Sequence, residues 1–318
     1  MSKVIGIVGL GVLGEAIAAN MVKRDWQVFG FDISTEACER GRRTGVIVSE
    51  TLCELAQTAP TIITCLATGD ALLDVLTGNQ PGRDALARNG SLRNRSIEET
   101  GLLYQQGQLN TIIEVSTLSV SDKLVAQSHC ESDGIAILDC PVSGNRAMAL
   151  RNELTAFCSG SPRDFEHVKE VLNGFCRTVK FVGEYGNGTK TKLAGNILNL
   201  VHNAVAAEVL VLAMKSGLDA EIFHSAISGS ASSSAMFEAR GRLMVADDYN
   251  ADGQNFSIPM KDARTIISHA AAYDCPTPIY QAALQLYYAA VANGLESLDP
   301  AAVCRVAEKA ANYSRKKN

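Results

Sequence analysis

No C-x-x-C pair and no tight grouping of histidine with cysteine occurs in the 318 residues, which argues against a zinc site. The nine cysteines, an odd number, read as reduced, buried thiols and not as a disulfide framework. Positive charge is scarce too. The formal net charge is −5, and the basic cluster at residues 315–317 lies at a chain end expected to fray, so a small molecule and not a nucleic acid is the expected partner. The opening "MSKVIGIVGLG" shows no charged-then-apolar leader and runs straight into a strand pattern, from which a cytoplasmic location is expected. An unbroken apolar run is missing as well. The most apolar helical stretch, residues 197–214, contains Asn199, His202, Asn203 and Glu208, so it reads as a helix buried in protein and not as a membrane span. No repeat of fixed period is found.

What is present is ordinary for a globular protein of about two domains: 47% hydrophobic and 20% charged residues. Short β-rich runs at residues 4–8, 27–32, 61–66, 111–115, 135–138, 154–158 and 178–182 alternate with helical stretches such as 14–24, 120–130 and 162–173. That alternation is the pattern of an α/β fold with a parallel, doubly wound sheet. From about Thr189 onward the apolar residues recur at helical spacing and no strand is read. The expected organisation is therefore a Rossmann-type domain over residues 1–185 and an all-helical domain over residues 186–318, with a long helix at about 188–216. The polar, arginine-bearing stretch 78–97 reads as an exposed insertion.

"GLGVLG" (Gly9, Leu10, Gly11, Val12, Leu13, Gly14) is a G-x-G-x-x-G, a weak signal alone. Its context strengthens it: the motif follows an apolar strand, opens a helix, and precedes a second strand ending in Asp32, 18 residues after Gly14. Gly9 suits the tight turn, Gly11 the approach of a pyrophosphate, and Gly14 close helix-to-strand packing, with free N–H groups and a positive dipole end at the helix start. Asp32 can accept hydrogen bonds from a ribose 2′-hydroxyl and would repel a 2′-phosphate, which favours NAD over NADP. Ile33, Ser34 and Thr35 offer no arginine, although Arg42 and Arg43 follow. Asp32 could also simply cap a helix.

A hydride-transfer site needs a group that moves the hydroxyl proton. The five histidines share no motif and read as structural or surface residues. Lys192 is the better candidate: a partly desolvated lysine near a cationic nicotinamide ring has its pKa drawn down toward working pH. Asn196 lies four residues on, on the same helical face, able to orient a substrate oxygen. Lys190 points elsewhere and reads as surface.

Four separated segments carry a resemblance to a known family: "GLGVLGEAIAANMVKRDWQVFGFD", "EVSTLS" (residues 114–119), "DCPVSGN" (residues 139–145) and "GNGTKTKLAGN" (residues 186–196). Together they resemble the β-hydroxyacid dehydrogenases, the group that contains 3-hydroxyisobutyrate dehydrogenase, tartronate semialdehyde reductase and L-threonate dehydrogenase. The resemblance implies a 6-phosphogluconate dehydrogenase-like architecture and NAD-dependent hydride transfer between the cofactor and a small 3-hydroxyacid or its semialdehyde or keto form. It makes Lys192 the catalytic acid/base, places substrate on Ser143, Gly144, Asn145 and Asn196, and sets Leu66, Thr117 and Lys261 beside the cofactor with the glycine turn. It also implies association of the helical halves into a homodimer or homotetramer. Leu13 stands where a methionine is usual and Glu114 where an Asp is usual; two further departures from the family pattern matter more, Asn145 where a second glycine is usual and Gly195 where the first asparagine of a pair is usual. The decarboxylating 6-phosphogluconate dehydrogenases are disfavoured because Gly195 and Asn199 replace their His and Glu, and the imine reductases because Lys192 is present. "MFEARG" (residues 236–241) and the run from Gly188 most resemble the threonate dehydrogenase branch, hence a polyhydroxylated three- or four-carbon acid. Rivals stay open: Ser143 as a turn residue, Lys261 as a solvated helix lysine, and the whole chain as a non-catalytic NAD-binding or scaffold protein of the same fold.

Overall fold

The computed structural model describes residues 3–78, 101–104, 107–250 and 254–315; the stretch read as an insertion at 78–97 lies, after Gly78, outside the described residues. The chain divides into two compact units, Met1–Lys192 and Leu193–Asn318.

The first unit begins with β1 (Val4–Val8), α1 (Val12–Val22), β2 (Gln27–Phe31), α2 (Thr35–Arg43), β3 (Ile47–Val48), α3 (Leu52–Thr58), β4 (Thr61–Thr64) and α4 (Gly69–Thr77). Then follow β5 (Thr111–Glu114), α5 (Val120–Ser132), β6 (Ala136–Asp139), β7 (Val142–Ser143), α6 (Arg146–Leu150), β8 (Leu154–Cys158), α7 (Pro162–Phe175) and β9 (Cys176–Phe181). β1 to β6 form one wholly parallel sheet in the order β3-β2-β1-β4-β5-β6. The order reverses between β1 and β4, the switch point outside which such sheets bind ligands. Parallel strands bury both faces, which is why "TIIT" and "TIIE" read as continuous apolar runs. Ile5, Ile7, Ile63, Ile113 and Leu138 face a core shared with α1, α6 and α7. Val8, Ile62, Ile112 and Ile137 face the other core, built with α3, α4 and α5.

Two features differ from the sequence reading. The runs at 154–158 and 178–182 belong to a second, three-stranded sheet, β7-β8-β9, in which β7 is antiparallel to β8. β7 and β3, two residues each, are too short to show a periodic signal, and periodicity says nothing of which strand a run pairs with.

Among the described residues the second unit contains no strand. It holds most of α8 (Asn187–Lys215), then α9 (Ala220–Ile227), α10 (Ala235–Ala246), α11 (Ser257–Ala271), α12 (Pro278–Ala292), a 3₁₀ turn (Pro300–Ala302) and α13 (Val303–Ala310). α8 is the one helix among the described residues long and apolar enough to cross a membrane. Asn203 in its middle has protein partners: it is fully buried and donates to the Tyr287 hydroxyl (2.7 Å) and the Pro300 carbonyl (3.0 Å). Only one side of α8 is buried, however; Leu198, Val205 and Leu212 are exposed, so the helix is not wholly enclosed and carries apolar residues on its open side too. Nor does the basic cluster fray at Arg315, whose guanidinium bonds Glu308 (2.6 Å) and the Val245 carbonyl (3.1 Å).

Candidate active site

The glycine turn joins β1 to α1. Gly9 has φ +95°, and a Cβ there would sit 2.2 Å from the Cys65 carbonyl oxygen. A Cβ on Gly14 would sit 1.9 Å from the Gly9 oxygen. These two glycines are demanded by the protein itself. Gly11 is different: a Cβ there would meet nothing within 4 Å. Of helices α1 to α7, only α1 lacks a side-chain cap. Open space in front of bare N–H groups and a positive dipole end fits a dinucleotide pyrophosphate. Exposed Val12 and Ile33 flank it. Leu10 contributes its side chain to the core, so only its backbone faces the crevice, and Leu13 packs partly on the same core.

Asp32 follows β2. Its carboxylate accepts from the Leu10 N–H (2.7 Å) and the Ser34 N–H (2.7 Å), so it stands over the glycine turn. The cap of α2 is Ser34, whose hydroxyl accepts from the Ala37 N–H, which removes the reading of Asp32 as the cap. Arg42 and Arg43 are in the last turn of α2, about 12 Å along the helix from Ser34 by the rise per residue.

Beyond the switch point, the Leu66 N–H donates to the Ser116 hydroxyl (2.7 Å), and the Ser116 N–H donates to Glu114 Oε1 (2.9 Å). Thr117, half-buried, follows directly. Glu114 ends β5, Asp139 ends β6, and the two are paired neighbours at the carboxyl edge of the sheet. Between them lies the ammonium of Lys123, from α5. It pairs with Glu114, with Asp139 Oδ1 (2.6 Å) and with the Ser116 carbonyl (2.8 Å), and all three side chains are 0% exposed. Burial pushes the Glu114 carboxyl above its ordinary value against the pull of Lys123. Burial would lower Lys123, but Glu114 and Asp139 together outweigh it and hold its pKa above the ordinary lysine value.

Asp139 also holds the start of α8. Its carboxylate accepts from the Thr189 N–H (2.7 Å), the Thr189 hydroxyl (2.8 Å) and the Ser159 hydroxyl (3.1 Å), and Ser159 Oγ accepts from the Gly188 N–H (2.9 Å). Thus two orphan N–H groups of the first turn are satisfied, with a carboxylate at the positive end of the helix. Lys192 comes three residues after Thr189 and is 9% exposed.

Ser143 lies in β7, paired with Thr155 and not in a turn. Gly144 has φ +140°, and a Cβ there would sit 2.5 Å from Leu154 Cδ2. Asn145 uses its side-chain oxygen to cap α6, accepting from the Met148 N–H (2.9 Å). A residue read as substrate-facing is therefore also a helix cap, a role Asn fills in any fold. In the second unit, Asn196 donates to Asp262 Oδ2 (2.8 Å) and accepts from Asn199 (3.3 Å). Lys261, the neighbour of Asp262, pairs with it at 3.3 Å, so the solvated-lysine reading is incomplete.

Sequence reasoning gave no role to Lys123, Asp139, Ser159, Thr189 or Asp262. One signal for Lys123 was available: with Ala126 and Cys130 it lies on the buried stripe of α5, a charged residue at an inward position.

This fold and site define a dinucleotide-binding oxidoreductase with a helical second unit. Residues 4–183 match the family profile of the NAD-binding domain of 6-phosphogluconate dehydrogenase. Residues 186–307 match that of the NAD-binding region of NADP-dependent 3-hydroxyisobutyrate dehydrogenase. The L-threonate dehydrogenase of Escherichia coli K12 is 28% identical over 303 residues, 95% of this chain and 94% of that one. The mitochondrial 3-hydroxyisobutyrate dehydrogenase of Drosophila melanogaster is 27% identical over 316 residues, 94% of this chain and 87% of that one. The solved structure of Mycobacterium tuberculosis 3-hydroxyisobutyrate dehydrogenase with L-serine has a TM-score of 0.78 at 25% identity, covering 96% of this chain and 99% of that one. The chain belongs to the β-hydroxyacid dehydrogenase family, and it is an NAD(P)-binding dehydrogenase.

Proposed function

We propose that the protein transfers a hydride between NAD and a small 3-hydroxyacid, the acid being a polyhydroxylated three- or four-carbon one such as threonate or glycerate. The observation that carries this reading is the buried Lys192 one turn beyond a helix start that Asp139 holds in place. The L-threonate dehydrogenases among the relatives support the substrate class. Asp32 supports NAD: a 2′-phosphate would meet its carboxylate, while Arg42 and Arg43 sit at the far end of α2.

When bound, the nicotinamide supplies the hydride acceptor. Lys192 then takes the substrate hydroxyl proton at Nζ during oxidation and returns it during reduction. Ser143, half-buried in β7, and the Gly144 backbone hold the carboxylate, Asn145 closing the loop from its capping position. Asn196, its amide oriented by Asp262, fixes the substrate oxygen. Thr117 and Leu66 line the cofactor, and Lys261 covers it. Nine cysteines with no disulfide among them suit a reducing, cytoplasmic setting. The exposed apolar side of α8 suits a homodimer or homotetramer.

The test is cofactor reduction followed at 340 nm, with NAD and separately NADP. The panel is L-threonate, D-erythronate, D- and L-glycerate, 3-hydroxyisobutyrate, 3-hydroxypropionate and L-serine. Turnover of threonate or glycerate with NAD is expected, and preference for NADP would overturn the reading of Asp32. Lys192→Ala should lower kcat about 10²–10⁴-fold; a variant retaining a tenth of wild-type kcat removes Lys192 from the proton step.

A further inference from the structure

Lys123 is a charged side chain with no exposure at all, and nothing in the proposed chemistry uses it. An ammonium has three N–H donors, and each meets a different segment. One goes to Glu114 at the end of β5, one to Asp139 at the end of β6, and one to the Ser116 carbonyl in the turn before Thr117. The reason for a cation here is local. Glu114 and Asp139 stand abreast in adjacent strands, and two like charges side by side in a dry site repel.

The two carboxylates have separate uses. Glu114 fixes the Ser116 turn through the Ser116 N–H, and Asp139 grips the first turn of α8 through Thr189. A buried cluster of this kind contributes little net stability, since apolar residues of similar volume commonly do as well or better. The groups gathered around Lys123 are instead close in sequence to segments the proposed reaction needs: Ser116 precedes Thr117, Asp139 begins the loop to Ser143, and Thr189 precedes Lys192 by one turn.

We propose that Lys123 is a positioning residue: through Glu114 and Asp139 it locks the cofactor-side turn, the substrate loop and the first turn of α8 into one register, setting the spacing between Thr117 and Lys192. The inference rests on the proposed roles of those two residues. It acts through neighbours and touches neither substrate nor cofactor.

The test is the double variant Glu114→Gln/Lys123→Met. It removes one acid and the cation together, keeps an oxygen for the Ser116 N–H, and leaves Asp139 with Thr189 and Ser159. Activity is measured with whichever acid of the panel the wild-type enzyme oxidises, and cofactor binding by NADH fluorescence. The expected result is a Tm within about 4 °C of wild type. NADH affinity, which depends on the untouched glycine turn and Asp32, should stay within about threefold, with kcat lowered about 10- to 100-fold at near-constant KM. Because that variant can fail to fold, Thr189→Val is measured beside it. It cuts only the hydroxyl link from the cluster to α8 and should lower kcat several-fold in the same way.

Wild-type kcat in the folded double variant overturns the proposal. So does an unfolded double variant together with wild-type kcat in Thr189→Val. Lys192→Ala separates the two readings: if it stays active, or if no acid is turned over by the wild type, the Lys192 assignment fails and this inference with it. If Lys192→Ala is dead and the double variant is fully active, only the role of Lys123 falls.

Discussion

Glu114 is pulled two ways: burial favours its neutral form, Lys123 its charged form, and burial prevails. The native state therefore binds this proton more tightly than the unfolded chain, whose Glu titrates near its ordinary value of about 4.3. By linkage, native stability from this site is greatest in acid and is lost as pH rises from the ordinary carboxylate range through the raised native value. Glu114→Gln has no such proton. The difference in Tm between Glu114→Gln and wild type should accordingly grow in favour of the variant as thermal denaturation is followed from pH 4 to pH 7; a flat or falling difference would contradict the assignment. At this scale the sequence shows residue type and little else. Asp32 and Gly11 were legible because a turn motif places them. Lys123 was not, because whether an ammonium is solvated or clamped between two carboxylates depends on residues 9 and 16 positions away in the chain.

The first turn of α8 explains "GNG". A Cβ on Gly188 would fall 2.4 Å from the Phe157 carbonyl oxygen and 2.6 Å from that of Asp139. Those are backbone atoms of β8 and β6 and cannot move aside cheaply. Gly188→Ala should thus push the helix start off Asp139, lowering both Tm and kcat/KM, the latter by about tenfold or more. Gly195 supplies the control: its added Cβ meets nothing within 4 Å, and Ala is the better helix former, so Gly195→Ala should gain about 0.5–1 kcal/mol in thermal or urea denaturation. If both substitutions behave alike, the contact argument is wrong. The helix was legible at 188–216 and is observed at Asn187–Lys215, because its apolar periodicity is local. Its anchoring was not, since Asp139 and Ser159 are far away in sequence.

Across the whole molecule, Leu198, Val205 and Leu212 recur every seventh residue on the exposed side of α8, a stripe of the kind that pairs with another helix. The chain should associate with itself through this stripe. Light scattering after size exclusion should give a dimer or larger for the wild type and a smaller species for Val205→Glu/Leu212→Glu; a monomeric wild type would refute it. The sequence by itself determined the α/β then all-helical order, the glycine turn with Asp32, and the candidate Lys192, since each rests on short-range periodicity or on one contiguous motif. Only the tertiary structure decided that two of the strands form a second sheet, that Asn145 caps α6, that Asp262 holds Asn196, and that Lys123 ties two strand ends together and, through Asp139, reaches a helix start. Strand partnership and the pairing of buried charges are long-range contacts, and their energies depend on which distant groups share a dry space.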